Sequence, residues 1–139
     1  MYKTEKKVQS VERKVQSEVV KMSESITESK SFQFAVRIVN LYKYLSKDKS
    51  EYIISKQLLK SGTSIGANIA EGERAQSKAD FHAKMSIALK EANETYYWLR
   101  LLYTTQYLTE KEFLSLENDV NELISLLVSI CKSTQNSQK

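Results

Sequence analysis

The residues able to do chemistry are few. His82 is the only histidine and Cys131 the only cysteine. A carboxylate-bridged di-metal site inside a helical protein needs two Glu-x-x-His pairs. One histidine cannot supply them, and Ala79 stands where the glutamate would be. No Cys-x-x-Cys, Gly-x-Ser-x-Gly or phosphate-loop Gly-Lys-Ser/Thr pattern occurs. Glu91 and Glu94 fall on one side of a helix and could act as paired carboxylates. No nucleophile or metal ligand lies near them in sequence, so they read as salt-bridging groups. Cys131 sits in an apolar stretch and reads as a small buried hydrophobe.

Two other segments have unusual composition. In SGTSIGANIAEG (61–72), Gly62, Gly66 and Ala70 are four apart, so one line of a helix is nearly bare of side chains. A glycine inside a helix costs about 1 kcal/mol relative to alanine. That cost is accepted where another helix must come close. Beside this line run Ser61, Ser64, Asn68 and Glu71, polar positions that need hydrogen-bond partners if covered. Asn68 and Glu71 are expected to tie this helix to a neighbouring backbone end or basic side chain. The second segment aligns Lys90, Asn93, Tyr97, Arg100 and Thr104 on one helix face. Cations interleaved with tyrosine can meet phosphates and stack on bases, so Lys90, Tyr97 and Arg100 form a candidate nucleic-acid surface.

The elements that position these residues are helical. The chain has no proline and three glycines, Gly62, Gly66 and Gly72. A β-sandwich or barrel, with its many turns, would need more of both. Phe34, Ile38, Leu41 and Leu45 predict a core-facing helix over about 31–45, with Phe32, Val36 and Val39 widening its apolar face. Asp48 and Glu51 have capping-box spacing for a second helix over about 50–71. Gly72 stands where a helix-terminating glycine would. Ser77 with Asp80 opens a third helix, over about 78–103. Its apolar face carries Phe81, Met85, Ala88, Ala92, Leu99 and Tyr103, with Tyr96 beside them. Thr109 with Glu112 opens a fourth, in which Phe113, Leu116, Val120, Leu123, Leu127 and Ile130 alternate by three and four. Short polar joints between four helices predict an all-α, antiparallel up-down-up-down four-helix bundle over 31–132.

Residues 1–30 differ. They carry one thin stripe, Val8, Val11, Val15, Val19, Met22 and Ile26, in a Lys-, Glu-, Ser- and Gln-rich background. This is too narrow for a core helix and reads as a polar extension, a conditional helix or disordered. Beyond this stripe no internal repeat is visible. The polar tail 133–139 is expected to be disordered.

A formal charge of +4 permits contact with a polyanion without requiring it. No run of about 18 apolar residues marks a membrane span, and the start MYKTEKKVQS has no signal-peptide core. A cytoplasmic location is expected, with no membrane partner. The breadth of apolar surface on the first and third helices, together with Trp98, Leu101 and Leu102, exceeds what one small bundle buries, so self-association is expected.

The stretch SIGANIAEGERAQSKADF (64–81), followed by SIALKEANETYYWLRLL (86–102), resembles the four-helix-bundle family named after reading frames inside 23S rRNA intervening sequences. That family also holds the accessory variability proteins of diversity-generating retroelements. The resemblance rests on Ser64, Ile65, Ala67, Asn68, Ile69, Ala70, Glu71 and Gly72, then Ser77, Lys78 and Phe81. Gly66 stands where many members have proline. The resemblance implies an antiparallel bundle assembled as a homopentameric ring, with no enzyme activity and no cofactor. For the retroelement branch it implies a reverse transcriptase as partner and nucleic acid, RNA or DNA, bound on a basic surface. The alternative expectation is a protein–protein scaffold that binds no nucleic acid.

Overall fold

A computed structural model describes the backbone of residues 2–137 and the side chains of residues 7–14 and 26–135. The described residues form helices α1 (Tyr2–Lys47), α2 (Ile54–Glu73), α3 (Lys78–Thr104) and α4 (Glu110–Ser137) joined by short turns, with no strand among them.

Each helix contributes the apolar line that its sequence period sets. Phe34, Ile38, Leu41 and Leu45 of α1 are buried, as are Leu58, Ile65 and Ile69 of α2. They meet Met85, Ala88, Ala92, Leu99 and Leu102 of α3 and Phe113, Leu116, Val120, Leu123 and Leu127 of α4 in one core. Burying each of the large aliphatic side chains contributes roughly 1.5–3 kcal/mol, and this is what fixes the helices against one another.

The contacts between neighbours give their directions. Ser31 and Ile38 of α1 meet Gly66 and Gly62 of α2 in reverse order. Lys84 and Thr95 of α3 reach back to Glu71 and Ser61 of α2. His82, Tyr96 and Tyr103 of α3 meet Thr134, Glu117 and Phe113 of α4. Lys30 and Arg37 of α1 pair with Glu122 and Asp119 of α4. Each helix therefore runs antiparallel to the one before it, and α4 closes against α1.

The helix starts follow two of the three capping signals as expected. Ser77 accepts a hydrogen bond from the Asp80 amide at 3.1 Å. Thr109 and Glu112 form a reciprocal box, at 3.2 Å from the Glu112 amide to Thr109 Oγ1 and 3.0 Å from the Thr109 amide to Glu112 Oε1. At the third start the arrangement differs. Helix α2 begins at Ile54, not near Ser50, because Ser50 takes a left-handed φ of 54° and turns the chain. Glu51, not Asp48, caps it: its carboxylate accepts from the amides of Ile53, Ile54 and Ser55 at 3.1, 2.8 and 2.6 Å. Burial pushes the Glu51 carboxyl up, but the amides of Ile54, Ser55 and Ile53 outweigh it and hold the group below the ordinary carboxylate value.

Other boundaries also move. Helix α1 has no break near Ser31; the segment read as a separate extension is continuous with the first core helix. Helix α4 runs to Ser137, past the expected end at Lys132, and Thr134 in that last stretch is half-buried against His82. The last two residues of the expected tail, 138–139, and the side chains of Val15, Val19 and Met22 in the thin stripe lie outside the described residues. Phe32 and Val36 do not widen the core face; both are exposed, while Val39 is half-buried. Of the third-helix residues expected to exceed the core, Leu102 lies within it and Trp98 and Leu101 are half-buried.

Candidate functional site

The glycines of α2 serve close packing. A Cβ on Gly62 would stand 2.8 and 2.9 Å from Cγ2 and Cγ1 of Ile38, inside any real contact distance. A Cβ on Gly66 would meet Ser31 Oγ at 3.3 Å and the Ser31 backbone at 3.4 Å. Two glycines four apart thus let α1 lie directly on α2. Gly72 departs from its expected role. It lies within α2, buried, with Arg74 following as the cap residue, and its φ is not positive. A Cβ there would stand 2.9 Å from Met85 Cε and 3.1 Å from Lys84 Cβ, so it is a packing glycine facing α3.

The polar line beside them is divided in its roles. Ser61 is fully buried and accepts a hydrogen bond from Thr95 Oγ1 at 3.0 Å. Thr95, also fully buried, lies 2.7 Å from the Glu91 carbonyl on its own helix. Glu71 is exposed and pairs with Lys84 of α3 at 2.8 Å, the basic partner expected for it. Among the described residues, Asn68 makes no bridge to a neighbouring helix. Its Nδ2 donates to the Ser64 carbonyl within α2, at 2.8 Å, from a half-buried position.

Lys90, Tyr97 and Arg100 share one exposed face of α3, with Asn93 and Thr104 also exposed. Tyr97 is 55% exposed, its ring edge-on to Trp98 with centroids 5.0 Å apart. Trp98 is half-buried beside it, and its indole N–H lies buried without an acceptor among the described residues. Arg100 lies 5.8 Å from the Tyr96 ring centroid, and Tyr96 in turn donates to Glu117 Oε2 at 2.9 Å. The Glu117 hydrogen bond, burial and the Glu117 charge together raise the Tyr96 hydroxyl above its usual value.

Acidic groups border this face. Glu94 is exposed, four residues after Lys90 and three before Tyr97. Burial, the Glu94 charge and a hydrogen bond to Glu94 raise the Glu91 carboxyl above the ordinary range, against the nearby Lys90 and Lys60. Glu91 and Glu94 thus interact with each other more than with a bridging cation. His82 and Cys131 lie about one turn apart on the α3–α4 contact, away from this face. His82 Nδ1 bonds Thr134, and Cys131 is half-buried 3.8 Å from Ser86 Oγ. No group of three His, Cys, Asp or Glu residues converges as a metal site would among the described residues.

A feature that sequence reading missed is an apolar groove between α1 and α2. It is lined by Phe32, Ala35, Thr63, Gly66, Ala67 and Ala70, with Glu28 and Ser29 at its end. Phe32, 68% exposed, is its largest wall. The signal was present: Phe32 is two positions from Phe34, about 200° around a helix, so the two rings cannot face one core.

These elements define an all-helical protein whose packed interior is mainly apolar, with the Ser61–Thr95 hydrogen bond inside it, and whose notable features are surfaces. The family model of the 23S rRNA-intervening sequence protein matches residues 23–129, and the chain belongs to that family. It is similar to a crystal structure from Bacteroides thetaiotaomicron VPI-5482, described as a protein of unknown function from the S23 ribosomal protein family. The two share 56% identity and a TM-score of 0.78, over 79% of this chain and 98% of that one. No curated protein matches the chain. Among the described residues, no helix is long and apolar enough to cross a membrane.

Proposed function

We propose that this protein is a non-enzymatic, cytoplasmic, self-assembling four-helix bundle whose assembled surface binds nucleic acid. In this reading its antiparallel helices are an up-down-up-down bundle, and copies join in a homopentameric ring. The observation that carries the reading is the α1–α2 groove, where exposed Phe32 stands beside a floor of Gly66, Ala67 and Ala70. A large ring next to a small-residue trough suits a second protein surface better than water.

Assembly gives the basic face its strength. One chain carries a formal charge of only +4, and Lys90 with Arg100 is a thin footprint. A ring repeats Lys90, Tyr97 and Arg100 on one surface, and repetition raises avidity without new contacts. Such binding is to phosphate and stacked bases, weakly sequence-specific and steeply salt-dependent. An accessory role beside a reverse transcriptase, or on an intervening rRNA sequence, belongs to the same reading. A second reading, a protein scaffold with no nucleic acid, is favoured by Glu94 standing between Lys90 and Tyr97.

Light scattering should give a ring-sized oligomer that Phe32→Glu breaks into smaller species; a concentration-independent monomer of the unaltered chain refutes self-assembly. Anisotropy titrations with structured RNA and duplex DNA should show affinity falling at least tenfold between about 50 and 200 mM salt. They should show weaker binding by Lys90→Glu/Arg100→Glu. An intact oligomer that binds neither ligand at low salt leaves the scaffold reading in place of the nucleic-acid one.

A further inference from the structure

The N-terminal part of α1 lies outside the family match, which begins at residue 23, and roughly a fifth of this chain has no counterpart in the similar crystal structure. Arg74, just past the end of α2, reaches Glu28 of α1 at 3.9 Å. Val8 stands about 30 Å further along the same helix, at 1.5 Å per residue. Val8 is 51% and Val11 59% exposed, and every side chain from Lys7 to Lys14 is exposed. Among the described residues, no other part of the chain covers Val8 or Val11.

The stripe contains an exact repeat. Lys-Val-Gln-Ser occurs at 7–10 and again at 14–17, seven residues on. Along a helix this period aligns Val8, Val15 and Met22, flanks them with Lys7, Lys14 and Lys21, and puts Val11 at the second apolar position of the first heptad. A seven-residue apolar period is the pattern of helices that wind around one another.

We propose that this segment of α1 pairs in parallel, in register, with the same segment of a second copy of the chain. Charge selects that direction. In a parallel pair Lys7 of one copy faces Glu12 of the other. An antiparallel pair would set the three flanking lysines against one another. Charge also suits a second copy as the occupant: residues 2–25 mix Lys3, Lys6, Lys7, Arg13, Lys14 and Lys21 with Glu5, Glu12, Glu18 and Glu24, so each copy brings both signs to the pairing. Glu18 and Ser25 occupy the second core position of the later heptads, so the pairing is centred on residues 7–15.

The test uses the full chain carrying Cys131→Ser, with either Val8→Cys, at the pairing seam, or Ser10→Cys, facing away. Under mild oxidation Val8→Cys should form disulfide-linked dimers at least tenfold faster than Ser10→Cys, and Val11→Asp should abolish that preference. The measurement is repeated with Phe32→Glu, which disrupts the proposed ring contact. A preference that survives while the ring mass is lost supports a separate interface. Equal cross-linking at the two positions in both backgrounds overturns the proposal, whatever the oligomeric mass, and hands the stripe to another occupant.

Discussion

Adding one methyl group at Gly62 tests how α1 and α2 are held together. In an unconstrained helix Gly→Ala stabilises by about 1 kcal/mol. At Gly62 the new Cβ would lie 2.8, 2.9 and 3.3 Å from Cγ2, Cγ1 and Cβ of Ile38. These atoms sit at the branch point of a fully buried side chain, so none can swing aside. Overpacking of this kind costs about 1–3 kcal/mol, so Gly62→Ala should lose about 1 kcal/mol net. At Gly66 the nearest atoms are at 3.3–3.4 Å, and the helix gain should offset the crowding. The Gly66→Ala protein should therefore melt within about 3 °C of the parent, while Gly62→Ala melts lower by about that amount. Urea unfolding at one fixed protein concentration supplies the free energies, since association makes stability concentration-dependent. Ile38→Ala removes both Cγ atoms, so its cost should be at least about 1 kcal/mol smaller in the Gly62→Ala background than alone. A Gly62→Ala protein more stable than the parent, or strictly additive single effects, would refute the close-approach account.

Two further predictions concern polar groups. Glu51→Ala removes the acceptor for three amides at the start of α2 and should cost about 1–2 kcal/mol. Because the folded Glu51 is held below its unfolded value, its contribution is present above the ordinary carboxylate range and is lost as pH falls through the folded value; unfolding curves of Glu51→Gln should therefore converge on those of the parent in acid. Within the core, Ser61→Ala leaves Thr95 without its cross-helix partner, and Thr95→Val leaves Ser61 so, each at a cost of about 1 kcal/mol. The double variant should be less destabilised than the sum of the two, as a urea titration of all four proteins would show.

Much of the fold was legible because it is local in origin. The absence of proline, the 3–4 spacing of Phe34 to Leu45 and of Phe113 to Leu127, and the caps at Ser77 and Thr109 depend on residues within one or two turns of each other. The same locality made the Gly62–Gly66 line readable as a close approach, since an unfavourable helix residue repeated at one spacing points to a contact outside the helix. Where the local signals were ambiguous, boundaries shifted: Asp48 and Glu51 both offer carboxylates, and the Ser50 turn decided that Glu51 reaches the α2 amides.

The tertiary structure decided which partner each residue meets. Sequence could place Gly72 near a helix end, but only the approach of Met85 and Lys84 makes it a packing residue. It could group Asn68 with Glu71, but only the position of α3 gives Glu71 a lysine and leaves Asn68 to its own helix. It could put Lys90, Tyr97 and Arg100 on one face, and the packing of α3 left that face in solvent. The sequence by itself determined the helices, their caps and their apolar lines, because a period and a cap are properties of neighbouring residues. The packing determined the groove beside Phe32, because a concave surface exists only where two helices have been brought together.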